Sequence, residues 1–170
     1  MVAMKWWRRN ALALAALALL IPGAVVVIGG QEWITYYGFR PISPIDVREG
    51  ESADFAGATF GPARVSDGTA TQRERIPNGA RILVAEIPVQ PGAESPGCTV
   101  TLRETTGQRR HWEVQPNALD RTGHVSCTTE NSGRYVVEAP FLVPADATGP
   151  FAIELVVAGQ QPRFLRLIAP

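Results

Sequence analysis

The chain has 170 residues, enough for one domain with its own core once a targeting segment is set aside. Sixteen basic and sixteen acidic side chains balance overall, but Lys5, Arg8 and Arg9 precede the first long apolar run and no acid lies before Glu32. From Gln31 onward thirteen Arg stand against all sixteen acids, a net charge of −3, so no nucleic-acid partner is expected.

Residues 1–10 form a short basic stub. Residues 11–30 (ALALAALALLIPGAVVVIGG) then carry no charged or hydrogen-bonding side chain. At a rise of about 1.5 Å per residue they reach roughly 30 Å, the thickness of a bilayer's hydrocarbon core. A lone span must be helical, because lipid cannot satisfy an open backbone. Pro22 and Gly23 predict a kink. Trp6 and Trp7 at one end, and Trp33, Tyr36 and Tyr37 at the other, suit the headgroup zones. Cations on the N-terminal side alone predict a single-pass plasma-membrane protein, its N-terminus cytoplasmic and its C-terminal domain extracytoplasmic. The rival is a cleaved signal peptide, whose apolar region is usually shorter, about 7–15 residues, and ends in a small-x-small site. The run here is longer and its candidate cuts fit poorly; either reading puts the domain outside. Residues 31–44 read as a juxtamembrane aromatic collar, closed by Gly38, Pro41 and Pro44.

From residue 45 to 170 the periodicity changes. Short runs of Val, Ile, Leu and aromatics are divided by Gly, Pro and Asn at intervals of about 8–12 residues, the pattern of an all-β sandwich. Strands are predicted at 52–55, 58–65, 71–76, 80–89, 98–104, 109–114, 124–128, 134–143, 151–158 and 163–168. The 80–89 strand is the most apolar and is expected to be central, with Pro88 marking where pairing ends. The 90–97 segment is expected to be a mobile loop. The fold class is therefore an all-β, immunoglobulin-like antiparallel β-sandwich preceded by one N-terminal transmembrane helix.

Cys98 and Cys127 are the only cysteines. Cys98 shares a strand face with Val100 and Leu102, and Cys127 shares one with Val125, so both thiols are expected to point inward. An oxidising compartment then predicts a disulfide between them. A redox pair would sit closer in sequence, as C-x-x-C, which does not occur.

The inventory for catalysis is thin. His111 and His124 belong to no H-x-x-x-H or H-E-x-x-H pattern, and His124 with Cys127 gives one H-x-x-C pair that is better used in the disulfide. No G-x-S-x-G occurs, and Ser126 is expected on the solvent side. Asp46, Glu49, Glu51 and Asp54 lack the D-x-D-x-D-G spacing of a calcium loop and read as solvated carboxylates. Arg109-Arg110 and Arg73-Glu74-Arg75 read as polar faces protecting strand edges and not as an anion site. Phosphate-binding glycine loops are missing. No catalytic residue, metal or cofactor is expected.

Trp112 lies between the two cysteines, and in immunoglobulin domains a buried Trp packs on the inter-sheet disulfide. The interval to Cys127 is too short for a true member, so the order predicts only a Trp beside a disulfide. The whole plan resembles small membrane-anchored proteins of actinobacteria. The carriers are the collar Trp33, Tyr36 and Tyr37, the run FAGATFGPARV at 55–65, and APFLVPADATGPFAIELVV at 139–157. The last stretch is also similar to the end of the DUF4352 type of extracytoplasmic domain. The resemblance implies an anchored immunoglobulin-like domain but no activity, since sandwiches host unrelated functions. The expected role is a non-catalytic interaction or accessory module with an envelope protein as partner. A small-ligand or cell-wall glycan receptor is the alternative, and an enzyme the remote one.

Overall fold

A computed structural model of the chain describes residues 3–69, 76–93, 97–119, 123–129 and 133–170. The strand predicted at 71–76 lies almost wholly outside them, as do Arg73-Glu74-Arg75 and part of the 90–97 loop. The chain divides into an N-terminal unit, residues 1–40, and a second unit, residues 41–170.

The first unit is one helix, α1 (Ala3–Gly38), with Pro22 inside it. Apolar side chains surround it on every side and stay exposed, Leu19 at 77% and Val26 at 72%. A helix greasy all round belongs in a protein core or in lipid. This one is long and apolar enough to cross a membrane, a test that a signal sequence also passes.

Among its described residues the second unit holds ten strands: β1 (Ser43–Val47), β2 (Ala53–Phe55), β3 (Ala58–Phe60), β4 (Arg64–Asp67), β5 (Ala80–Pro91), β6 (Cys98–Glu104), β7 (His111–Glu113), β8 (Tyr135–Pro144), β9 (Phe151–Val157) and β10 (Arg163–Ala169). They form two sheets. One runs β1-β10-β9-β6-β7; in the other β5 is central, with β3 and β4 on one side and β8 on the other. Every pairing between these strands is antiparallel but one: β1 runs parallel to β10, Ser43 opposite Arg163 and Val47 opposite Leu167. An edge position tolerates Pro44, which lacks an N–H, and explains why a proline-bearing stretch became a strand.

Alternation decides which side chains enter the core. In β6, Cys98, Val100, Leu102 and Glu104 are buried, while Thr99 is exposed and Thr101 and Arg103 are half-buried. Leu83, Ala85, Ile87 and Val89 of β5 and Val137, Ala139, Phe141 and Val143 of β8 meet Ile153, Leu155, Leu165 and Leu167 from the other sheet in one cluster. Ile82, Val84 and Leu119 form a smaller cluster of their own.

Three expectations fail on local backbone chemistry. The predicted strand 58–65 is two strands. Phe60 sits opposite Val89 but Arg64 opposite Glu86, so four steps on one side match three on the other, a one-residue bulge at Gly61–Ala63. Gly61 takes φ 98°, where a Cβ is disfavoured. Pro88 does not end pairing, because β5 continues to Pro91, opposite β8 as far as Val89 and opposite β3 to its end. Its carbonyl accepts from Gly61 N–H at 2.9 Å, so its missing donor faces the bulge, where no ladder partner waits. Finally, 124–128 is no strand. It makes two isolated bridges, Cys127 to Cys98 and His124 to Val137.

Candidate functional site

At one end of α1 the rings of Trp6 and Trp7 meet at 6.5 Å. At the other, helical spacing stacks Trp33 against Tyr37 with centroids 4.4 Å apart, and Tyr36 packs on Tyr37 at 5.0 Å. Arg40, passed over in the sequence reading, places its guanidinium 3.8 Å from the Tyr36 ring centroid and donates to the Tyr36 hydroxyl at 2.8 Å. Aromatic rings with a cation at their polar rim have the chemistry of a lipid–water boundary.

Cys98 and Cys127 form a disulfide, Cα to Cα 4.8 Å, and both are buried. Cys127 N–H donates to Cys98 Sγ at 3.2 Å, and Thr128 N–H to the Tyr135 hydroxyl at 3.3 Å. The bridge therefore ties residues 123–129, which lack a ladder of their own, to β6.

Trp112 is not beside that bridge. It lies opposite Leu102, four residues from Cys98 and hence about 13 Å along β6. Its ring packs edge-on against Phe151 at 6.5 Å and under Arg110 at 5.6 Å. His111 is exposed on β7, and His124, also exposed, meets the Tyr135 ring at 5.3 Å. Ser126 is exposed as well. Among the described residues no three of His, Cys, Asp and Glu gather as metal ligands would. Asp46 is not merely solvated: its carboxylate accepts from Arg166 Nη1 at 3.4 Å. Asp54 accepts from the Thr59 hydroxyl.

The main feature missed in the sequence is Glu104. Only 3% exposed, it accepts from Arg110 Nε and Nη2, each at 3.2 Å, and from Thr148 N–H at 3.4 Å. Arg110 Nη1 also donates to Asp146 at 3.0 Å. Arg110 is thus no solvated edge residue. Its hydrogen bonds hold the Glu104 carboxyl below the ordinary glutamate range, reinforced by Thr148 and opposed by burial. Glu104, then Asp146, raise Arg110 in turn. A carboxylate held ionised is a poor general acid near neutrality, and both its oxygens already accept hydrogen bonds. The group clamps the β6–β7 turn to the connection between β8 and β9.

The chain matches no family model, no curated protein and no solved structure. What can be said of its chemistry therefore comes from its own surface. On the outer face of the β5 sheet a cleft of about 370 Å³ is lined by Thr59, Pro88, Gln90, Arg134, Tyr135 and Val136, among others. Val136 is 42% exposed, and Arg134 Nε donates to Gln90 Oε1 at 3.1 Å. The cleft thus sets an exposed valine and proline beside a guanidinium, an amide and a tyrosine.

Proposed function

We propose that this chain is a membrane-tethered, non-catalytic β-sandwich of immunoglobulin-like type, held outside the cytoplasmic membrane, where it binds a neighbouring envelope protein. The observation that carries the reading is the Cys98–Cys127 disulfide in the domain that follows α1. Disulfides persist in oxidising compartments, so the bridge and the one-sided cations Lys5, Arg8 and Arg9 point across the same membrane. The shared core of the two sheets supports the sandwich.

A protein partner is favoured over a glycan by the placement of the aromatics. Phe55, Phe60, Phe141, Phe151 and Phe164 are buried, and Trp112 and Tyr135 are half-buried. Few rings in the domain remain to form the flat platform that stacks on sugar. The cleft at Pro88 and Val136 is the surface we assign to the partner.

The test joins topology to contact. A reporter that is active only outside the cytoplasm, fused at the C-terminus, is expected to be active. A photo-crosslinking amino acid at Val136 in intact cells is expected to yield a discrete protein adduct, and the same group at exposed Thr99 is not. A reporter active only in the cytosol, or adducts to lipid alone, would overturn the reading.

A further inference from the structure

The outer face of the β1-β10-β9-β6-β7 sheet brings together arginines that the sequence keeps far apart. Arg103 comes from β6, Arg109 from the turn after it, and Arg166 from β10; with Thr105 and Ala152 they line a pocket of about 200 Å³. Ala152 lies opposite both Arg103 and Ile168 in the ladders, so a methyl group stands where a longer side chain would fill the floor. Glu104 also borders the pocket, with its carboxylate committed to Arg110.

Four guanidiniums here, of Arg103, Arg109, Arg110 and Arg166, stand among four carboxylates, of Asp46, Glu104, Asp146 and Glu154, but they are paired unevenly. Glu154 Oε1 accepts from Arg166 Nε at 3.2 Å, Arg166 Nη2 at 3.1 Å and Arg103 Nη1 at 3.2 Å. Asp46 takes Arg166 Nη1 at 3.4 Å. Arg166 is then fully engaged, Arg103 engages through one nitrogen, and Arg109 has no carboxylate partner among the described residues. Arg109 is moreover held at φ 54°, a left-handed backbone that a non-glycine side chain seldom adopts. Strain of this kind gathers at sites with a use.

We propose that this pocket binds an oxyanion of the phosphate class, a phosphate monoester or a phosphodiester. Guanidinium forks reaching in from a strand and from a turn suit a tetrahedral group whose oxygens diverge, whereas one planar carboxylate would saturate a single fork. The domain is acidic overall, so a local cationic pocket selects by geometry and not by bulk attraction. The site does not depend on the tether or on the partner proposed above.

The test uses the full chain in phosphatidylcholine nanodiscs, with inorganic phosphate titrated in at constant ionic strength. Arginine side-chain NMR resonances and the melting temperature are read together. Saturable shifts of the Arg103 and Arg109 Nε–H signals are expected. Arg109→Gly removes the charge and relieves the φ, so it should melt no lower than the wild type. It should nevertheless bind phosphate about tenfold more weakly, the worth of one charge-assisted contact. Ala152→Leu, which keeps all three arginines, should weaken binding as well. Replacing part of the phosphatidylcholine with phosphatidylglycerol identifies the source. Shifts without added phosphate mean a lipid headgroup, and none mean a soluble or polymeric phosphate; both keep the site. Linear shifts that chloride reproduces, or an Arg109→Gly chain that binds like the wild type, overturn it.

Discussion

Arg110 lays two guanidinium nitrogens on the two oxygens of Glu104, at 3.2 Å each, around the only buried charged side chain among the described residues. The pair closes across the β6–β7 turn, where Glu104 N–H also donates to the Arg110 carbonyl at 2.9 Å. The Glu104 carboxyl is held below its ordinary 4.5 in the folded state, first by Arg110. The stability it contributes is therefore complete above that value and is lost as pH falls through the folded pKa. Glu104→Gln is expected to melt several degrees below the wild type at about pH 7, and the gap should narrow progressively as pH falls below the ordinary glutamate value of 4.5. Melting curves of both chains across that range are the measurement. A gap that stays constant would show that the charge of Glu104 plays no part.

Gly61 sits at the bulge with φ 98°, and a Cβ there would lie 2.9 Å from the Glu51 carbonyl. Backbone cannot yield as a flexible side chain does. Gly61→Ala is expected to cost about 2–3 kcal/mol, combining the disfavoured dihedral with that collision. Gly79, at φ 80°, has open space where its Cβ would be, so Gly79→Ala should cost only about 1 kcal/mol. Equal losses in urea unfolding would mean that the bulge is looser than its geometry implies.

The strands legible in the sequence are β5, β6, β8, β9 and β10, whose apolar runs are bounded by turn residues; β6 alternates in burial along its whole length, whereas β5 is buried on both faces from Ile82 to Ala85. What stayed hidden depends on pairing. Nothing in FGPAR tells that Gly61 and Pro62 open a bulge, and without the bulge Pro88 reads as a stop. Strand β1 gains its order from β10, more than a hundred residues away. The 124–128 segment has strand-like alternation but only a disulfide and isolated bridges to hold it. Glu104 did leave a signal. It continues the inward phase of Cys98, Val100 and Leu102, and an acid in that phase at a strand end calls for a cation such as Arg110 just past the turn. Of the three arginines lining the anion pocket only Arg109 stood out, as part of a basic pair read as edge protection, because only the ladders bring Arg103 and Arg166 together.

The disulfide is expected to supply much of the stability of the second unit. Its cysteines are 29 residues apart, and closing such a loop in the unfolded chain stabilises the fold by about 3.6 kcal/mol on the chain-entropy account. A domain of this size has about 5–15 kcal/mol in all. The paired change Cys98→Ala and Cys127→Ala should shift urea unfolding by about that amount, and reductant on the wild type should do the same. Because residues 123–129 have no ladder, hydrogen exchange there should rise well below global unfolding. If reductant left both the unfolding curve and this exchange unmoved, the bridge would be redundant.

The proposed orientation rests on charge at the two flanks of the apolar run. Lys5, Arg8 and Arg9 precede it, whereas Gln31 and Glu32 follow it and the next cation is Arg40. Short flanks carrying Lys or Arg resist transfer, and acids count for little, so moving the cations should matter more than adding acids. Replacing Lys5, Arg8 and Arg9 with Gln while changing Gln31 and Glu32 to Lys should invert most chains, silencing a C-terminal reporter that works only outside. The inverted domain would sit in a reducing compartment, so Cys98 and Cys127 should become alkylatable in the same cells. Reporter and thiols are thus two readouts of one event. If the reporter fell silent while the thiols stayed blocked, or the swap changed neither, flanking charge would not be what sends this domain across.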